Sequence, residues 1–220
     1  MRTRANWVKI LLVVGITIDA IAILSGLAQE ELLSRAASGV GITDADAAAN
    51  DARHGMIGVF QVVAFVATAV CWLIWLHRAY ANRSLMGTRR SDYTPGWAVG
   101  YWFVPIMNLF RPYQVTKELW LRSARRNAVE SIKEFAPAAV LPSWWGVWLI
   151  SNFLGQALMK WSFRANTIDE SQRVTMMGIA IDAIGIVSAG LALAVVRKID
   201  MLQKESISNV AEAAPSGATA

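Results

Sequence analysis

Apolar residues in this chain gather into four long runs separated by polar stretches. The first, Ile10 to Leu27, contains one charge, Asp19; the second, Met56 to Leu76, contains none. The third, Ser143 to Met159, is headed by Trp144, Trp145 and Trp148 and carries Asn152 and Gln156, and the fourth, Thr175 to Val196, carries Asp182. A helix rises about 1.5 Å per residue and the hydrocarbon core of a bilayer is about 30 Å thick, so a span takes roughly 20 mostly apolar residues. The pattern predicts an all-α polytopic membrane protein with four transmembrane helices near 10–27, 56–76, 143–159 and 175–196. A cleaved signal peptide competes for the first run, since Gly26 and Ala28 offer a small-x-small site, but the run is longer than the usual apolar region of such a peptide.

Between the spans the pattern changes. Residues 96–110 would reach only about 22 Å as a helix, and Pro105 interrupts the backbone ladder, so this stretch reads as a re-entrant or interfacial aromatic segment. Residues 113–135 show helical periodicity, with Leu121, Ala124, Ala128, Ile132 and Phe135 on one face and Glu118, Arg122, Arg126 and Lys133 toward another. That is the pattern of a basic amphipathic helix lying along the inner leaflet. Gln29 to Arg53, acidic and rich in Ala and Gly, reads as an exposed outer loop, and 203–220 as a disordered tail beyond a single membrane domain, 1–202.

Lysine and arginine counts orient the chain, because short cytoplasmic loops carry their excess. Four spans with both termini inside place 16 of the 21 basic residues in the cytoplasm and 5 outside; if 96–110 crossed, the division would be 10 and 11, with no bias. Composition agrees with a membrane protein: 55% of the 220 residues are hydrophobic, 17% are charged, and the mean hydropathy is +0.38. One cysteine, Cys71, excludes an internal disulfide framework, and His54 and His77 stand too far apart for a local metal motif. With no zincin, P-loop or nucleophile-elbow motif, the sequence names no catalytic residue, metal ligand or cofactor site.

Candidate chemistry lies in the polar residues at membrane depth. Gly15 to Ser25 and Gly178 to Ser188 are identical at eight of eleven positions, and the shared Asp19 and Asp182 are the informative pair. Each sits on a stripe of small residues, Gly15, Ala22 and Gly26 in one case and Gly178, Gly185 and Ala189 in the other, which lets membrane helices approach closely. An aspartate near the centre of a span costs about 2.5 to 3.5 kcal/mol on insertion scales, so the pair calls for hydrogen-bonding partners such as Thr17, Asn152 or Gln156, or for a proton- or cation-linked role. Their distances from Lys9 and Arg197 put both about 15 to 22 Å from the cytoplasmic ends of antiparallel helices, where they could meet. At the cytoplasmic exit of the second span, His77 and Arg78 follow Trp72 and Trp75, as in an aromatic anchoring belt. Asn108, Arg111 and Gln114 in the aromatic stretch are candidates to satisfy freed carbonyls or lipid phosphates. Arg122, Arg125 and Arg126 point to anionic headgroups of the inner leaflet rather than to nucleic acid. A homo-oligomer stays open.

Trp75-Leu76-His77-Arg78-Ala79, Pro95-Gly96-Trp97-Ala98-Val99-Gly100, Phe103-Val104-Pro105, Arg111-Pro112-Tyr113-Gln114-Val115, Trp144-Trp145 and Val195-Val196-Arg197-Lys198-Ile199 together resemble the bacterial DUF4328 membrane proteins, over about Asn50 to Gln203. The resemblance implies a bacterial inner-membrane protein and carries no catalytic residues with it. Leu121-Arg122-Ser123-Ala124-Arg125 stands after Trp120 where the family pattern leads one to expect a turn, so a longer helix is expected here. The expectation is a structural or regulatory membrane component without enzymatic activity. A small proton- or ion-coupled transporter or channel subunit using Asp19 and Asp182 is the alternative, and a membrane-embedded enzyme stands third.

Overall fold

The computed structural model describes residues 2–81, 93–125 and 139–213, and every regular element among them is helical. The order is α1 (Arg2–Ala37), α2 (Asp44–Ala81), the short α3 (Pro95–Gly100), a 3₁₀ turn (Met107–Leu109), α4 (Arg111–Arg125), α5 (Val140–Ser162) and α6 (Ile168–Ala213). Helices α1, α2 and α6 are long and apolar enough to cross a membrane. At about 1.5 Å per residue each exceeds 50 Å, so each runs well beyond a hydrocarbon core of about 30 Å. Helix α5 has 23 residues, but its tryptophans, Asn152 and Gln156 keep it out of that set.

The helices extend past the apolar runs because their ends are capped. Gly39 adopts φ 73°, and Val40 N–H and Gly39 N–H reach back to the carbonyls of Arg35 (3.1 Å) and Ala36 (3.2 Å), a Schellman closure of α1. Four residues after Gly39, Thr43 Oγ1 accepts from Asp46 N–H at 3.1 Å while Asp46 Oδ2 accepts from Thr43 N–H at 3.2 Å, a capping box that starts α2. Residues 29–53 are therefore not an outer loop: only 38–43 connects the two helices. A second box, with Glu170 N–H donating to Thr167 Oγ1 at 3.2 Å and Thr167 N–H to Glu170 Oε2 at 3.2 Å, opens α6. At the other end α6 continues to Ala213, which corrects the expectation of a disordered tail for 203–213; 214–220 lie outside the described residues.

The chain forms two compact units, each described by itself. The first comprises Met1–Lys9, Val70–Ser143 and Leu193–Ala220. Its core is closely packed, with Val8, Leu76, Tyr80, Val115, Leu119, Leu141, Val195, Val196 and Ile199 at most 1% exposed. Burying one such side chain contributes about 1.5–3 kcal/mol. Lys9 Nζ and Lys204 Nζ both pair with Asp200 Oδ2, at 3.3 and 2.7 Å, tying the start of α1 to the end of α6.

Helix α4 completes this core with a face different from the one its sequence suggests. The buried positions are Pro112, Val115, Thr116, Leu119, Trp120, Ser123 and Ala124, a regular helical stripe, whereas Leu121 is half-buried. Thr116 and Ser123 join it because each hydroxyl donates to the carbonyl four residues back, at 2.8 Å in both cases, which hides their polarity. The described part of α4 thus presents its apolar face to protein and not to the inner leaflet. Residues 126–135 of the expected amphipathic helix lie outside the described residues.

The second unit comprises Ile10–Ala69 and Trp144–Ala192. It shows the outward apolar surface of a lipid-exposed bundle: Val59, Phe60, Val62, Val63 and Phe65 on α2 are all more than half exposed.

Candidate functional site

Within the second unit, α1 and α6 run antiparallel and close together. A Cβ added at Gly26 would lie 2.7 Å from Ile179 Cγ1, and one turn along α1 and two along α6 Gln172 Nε2 donates to Glu30 Oε1 at 3.0 Å. At the other end of this contact a Cβ on Gly185 would lie 3.0 Å from Asp19 Oδ2, so the absence of a side chain at 185 makes the room that the carboxylate occupies. Gly15, the remaining glycine of the α1 stripe, has nothing within 4 Å of an added Cβ and takes no part.

Helix α2 packs antiparallel to α1 and supplies the residue that joins the two acids. Gln61 Nε2 donates to Asp19 Oδ1 at 3.1 Å and to Asp182 Oδ1 at 2.9 Å. Its amide has two hydrogens, and each carboxylate takes one. Both Oδ1 atoms therefore lie within hydrogen-bond reach of one nitrogen and at most about 6 Å from each other. The repeated segments bring their aspartates together, one from each of two helices, on an amide from a third.

Two turns along α2 lies a second polar group. Arg53 Nε donates to the buried Ser25 Oγ at 2.9 Å, His54 Nε2 is 3.2 Å from the same oxygen, and Arg53 Nη2 donates to Asn50 Oδ1 at 2.6 Å. Ser25 and Asn50 are 6% and 7% exposed, so these contacts satisfy polar groups that have lost water.

The other candidates are placed apart from the aspartates or engaged locally. Asn152 Nδ2 donates to the Trp148 carbonyl of its own helix at 2.7 Å, Thr17 Oγ1 to that of Val13 at 3.0 Å, and Gln156 is exposed. None of the three meets an aspartate. His77 and Arg78 are exposed. In the first unit, Arg111 Nη1 donates to Gln114 Oε1 at 3.1 Å and to Tyr93 Oη at 3.3 Å, and its guanidinium lies 5.6–5.8 Å from the ring centres of Tyr93, Tyr101 and Phe110. Asn108 Oδ1 is buried and has no hydrogen-bond partner among the described residues. Arg122 Nε pairs with Glu118 Oε1 at 2.7 Å, and Glu118 Oε2 accepts from Tyr80 Oη at 2.7 Å. The side chain of Arg125 and all of Arg126 lie outside the described residues. Among the described residues no group of three or more His, Cys, Asp or Glu is arranged to hold a metal ion.

Sequence reading missed Gln61 altogether, and it placed Ser25 in the repeat and Glu118 on the charged face of a helix without their partners Arg53 and Tyr80. The signal for Gln61 was present: it is the only amide or charged side chain in the run from Met56 to Leu76, and counting charges alone passes over it.

Long apolar helices joined through intramembrane polar groups define an all-helical, multi-pass membrane protein. The model of the domain of unknown function DUF4328 matches residues 38–201, and the chain belongs to that family. The match takes in Gln61 and Asp182 but not Asp19. No curated protein and no solved structure matches the chain.

Proposed function

We propose that the protein is a structural or regulatory component of a bacterial inner membrane, without enzymatic activity, whose spans are fastened by the Asp19–Gln61–Asp182 cluster. The observation that carries this reading is the single Gln61 amide shared by two carboxylates from different helices. In hydrocarbon, packing and interhelical hydrogen bonds take over the part that the hydrophobic effect plays in water, so such a cluster fixes both register and partner choice among helices. Helix α5 is the fourth span: its 23 residues reach about 34 Å, Lys160 is its only charge, and Ile150, Phe153 and Met159 are more than half exposed. With both termini cytoplasmic, the positive-inside bias of 16 against 5 is satisfied, and 96–110 stays on the cytoplasmic side without crossing. The expectation that anionic headgroups are the partners of Arg125 and Arg126 goes with this reading.

A second reading is favoured by the closeness of the two acids. Negative charges at this separation repel strongly in a low dielectric, so the cluster is suited to hold a proton or a cation between the carboxylates, as in a small ion-coupled transporter. Asparagine at 19 and 182 separates the readings. Asn keeps the shape and the acceptor oxygen for Gln61, so a structural cluster survives it and Leu damages it. A transport site folds normally with Asn and loses the proton or cation flux that wild-type proteoliposomes support; wild-type vesicles that hold a pH gradient or a Na⁺ or K⁺ gradient as tightly as empty ones speak for the structural reading.

A further inference from the structure

The segment between α3 and α4 carries the least expected surface of the first unit. Phe103 and Ile106 are 72% and 75% exposed, the highest values among the described large apolar residues of that unit, and Trp97, Leu109 and Phe110 are each more than 40% exposed. Five large apolar side chains held out from fourteen consecutive residues are costly in water. Two features say what covers them. Trp102, in the middle of the segment, packs edge-on against Trp72, with ring centres 6.3 Å apart. Trp72 belongs to the last turns of the apolar run of α2, so the contact sets the segment at the depth where that run leaves the hydrocarbon. The second feature is Arg111, directly after Phe110. Among the described residues no carboxylate pairs with it, its Nε has no hydrogen-bond partner, and three aromatic rings surround it. A guanidinium with no carboxylate partner among the described residues, next to exposed aromatic and aliphatic side chains, matches the order of groups at a bilayer surface, phosphate above and acyl chain below.

We propose that Trp97 to Phe110 is a wedge seated in the inner leaflet, with Phe103 and Ile106 among the acyl chains and Arg111 bound to the phosphate of an anionic lipid. The proposal rests on the reading that this segment stays on the cytoplasmic side. Its length suits a shallow entry: α3 is six residues long, the chain then turns through 101–106, and a single 3₁₀ turn leads to α4, with no helix long enough to go deeper. The rings around Arg111 hold the guanidinium in one orientation, Gln114 and Tyr93 take Nη1, and Nε is buried, which leaves Nη2 for phosphate.

The test uses the full chain with Cys71→Ser, reconstituted at low protein-to-lipid ratio. Spin labels at Phe103→Cys and Ile106→Cys are expected to collide more with oxygen, which concentrates among acyl chains, than with a water-soluble nickel chelate, and a label at the exposed Lys117→Cys is expected to show the reverse. Greater nickel access at 103 and 106 overturns the wedge, and low access to both reagents overturns it in favour of a second protein copy on this face. Labels at positions 90 and 126, reached from opposite sides of sealed vesicles, would instead show that the segment crosses, a failure of the underlying topology rather than of the depth of the wedge. For the headgroup, the melting temperature in maltoside micelles is followed with added phosphatidylglycerol or phosphatidylcholine. A rise with phosphatidylglycerol alone, lost in Arg111→Gln and partly kept in Arg111→Lys, supports the site. An equal rise with both lipids, or an undiminished rise in Arg111→Gln, overturns it.

Discussion

Replacing Gln61 with Leu removes one amide and strands two carboxylates. The substitution nearly conserves volume and adds apolar surface to an apolar helix, so any loss comes from polarity. Interhelical hydrogen bonds in membranes average about 0.6 kcal/mol and reach about 1.7 kcal/mol. The amide makes two, both to carboxylates, at 3.1 and 2.9 Å. The expected destabilisation is therefore about 1–3 kcal/mol. The cycle with Asp19→Leu carries more information than the single variant. If Asp19 depends on Gln61, removing the carboxylate in the Gln61→Leu background removes the group that the first change stranded, so the two effects fall short of their sum by about 1 kcal/mol. Reversible unfolding in mixed micelles of sodium dodecyl sulfate and a mild detergent measures all four proteins. A Gln61→Leu protein as stable as wild type, or effects that simply add, would refute the shared-amide argument.

Three further outcomes follow from the packing. Gly26→Ala forces a Cβ to 2.7 Å from Ile179 Cγ1 and should lose about 1–3 kcal/mol in the same unfolding assay, whereas Gly15→Ala, with nothing within 4 Å, should be neutral or gain up to about 1 kcal/mol from helix propensity. Tyr80→Phe withdraws the 2.7 Å donor from Glu118 and should cost about 1–2 kcal/mol; because Arg122 pairs with the same carboxylate, Tyr80→Phe and Arg122→Gln should not add, which a double-mutant cycle in thermal melts would detect. Cysteines at positions 90 and 126 in a Cys71→Ser background should both resist an impermeant maleimide applied to the outside of intact cells and both react after permeabilisation.

The membrane class was legible because hydrocarbon thickness imposes run lengths that few other constraints produce, and three of the four runs lie in helices that meet the length and hydropathy of a span. Helix ends were not. Thr43 with Asp46, Gly39 with Val40, and Thr167 with Glu170 are local capping patterns in polar sequence, and a reading guided by polarity turned helix into loop. The repeat around Asp19 and Asp182 correctly singled out two residues that the fold brings together, yet their partner came from a third helix, which no periodicity within α1 or α6 can indicate. On α4, Thr116 and Ser123 looked polar and proved buried because each bonds to its own backbone, which moved the apolar face away from Leu121. The small-residue stripes held at Gly26 and Gly185, where another helix closes in, and not at Gly15.

The central claim, that one amide on α2 is shared by carboxylates on α1 and α6, is open to a direct distance measurement. Protein labelled with ¹⁵N at glutamine side chains and ¹³C at aspartate carboxyl carbons, reconstituted in lipid, can be examined by rotational-echo double-resonance solid-state NMR, with Gln61→Leu as the subtraction control. Hydrogen bonds of 3.1 and 2.9 Å place two carboxyl carbons within about 4 Å of the Gln61 nitrogen. The account expects a dephasing component that fits two such carbons, falls to one in either Asp→Asn variant, and vanishes with Gln61→Leu. A difference spectrum with no short-range dephasing, or one that removal of Asp19 leaves unchanged, would contradict it.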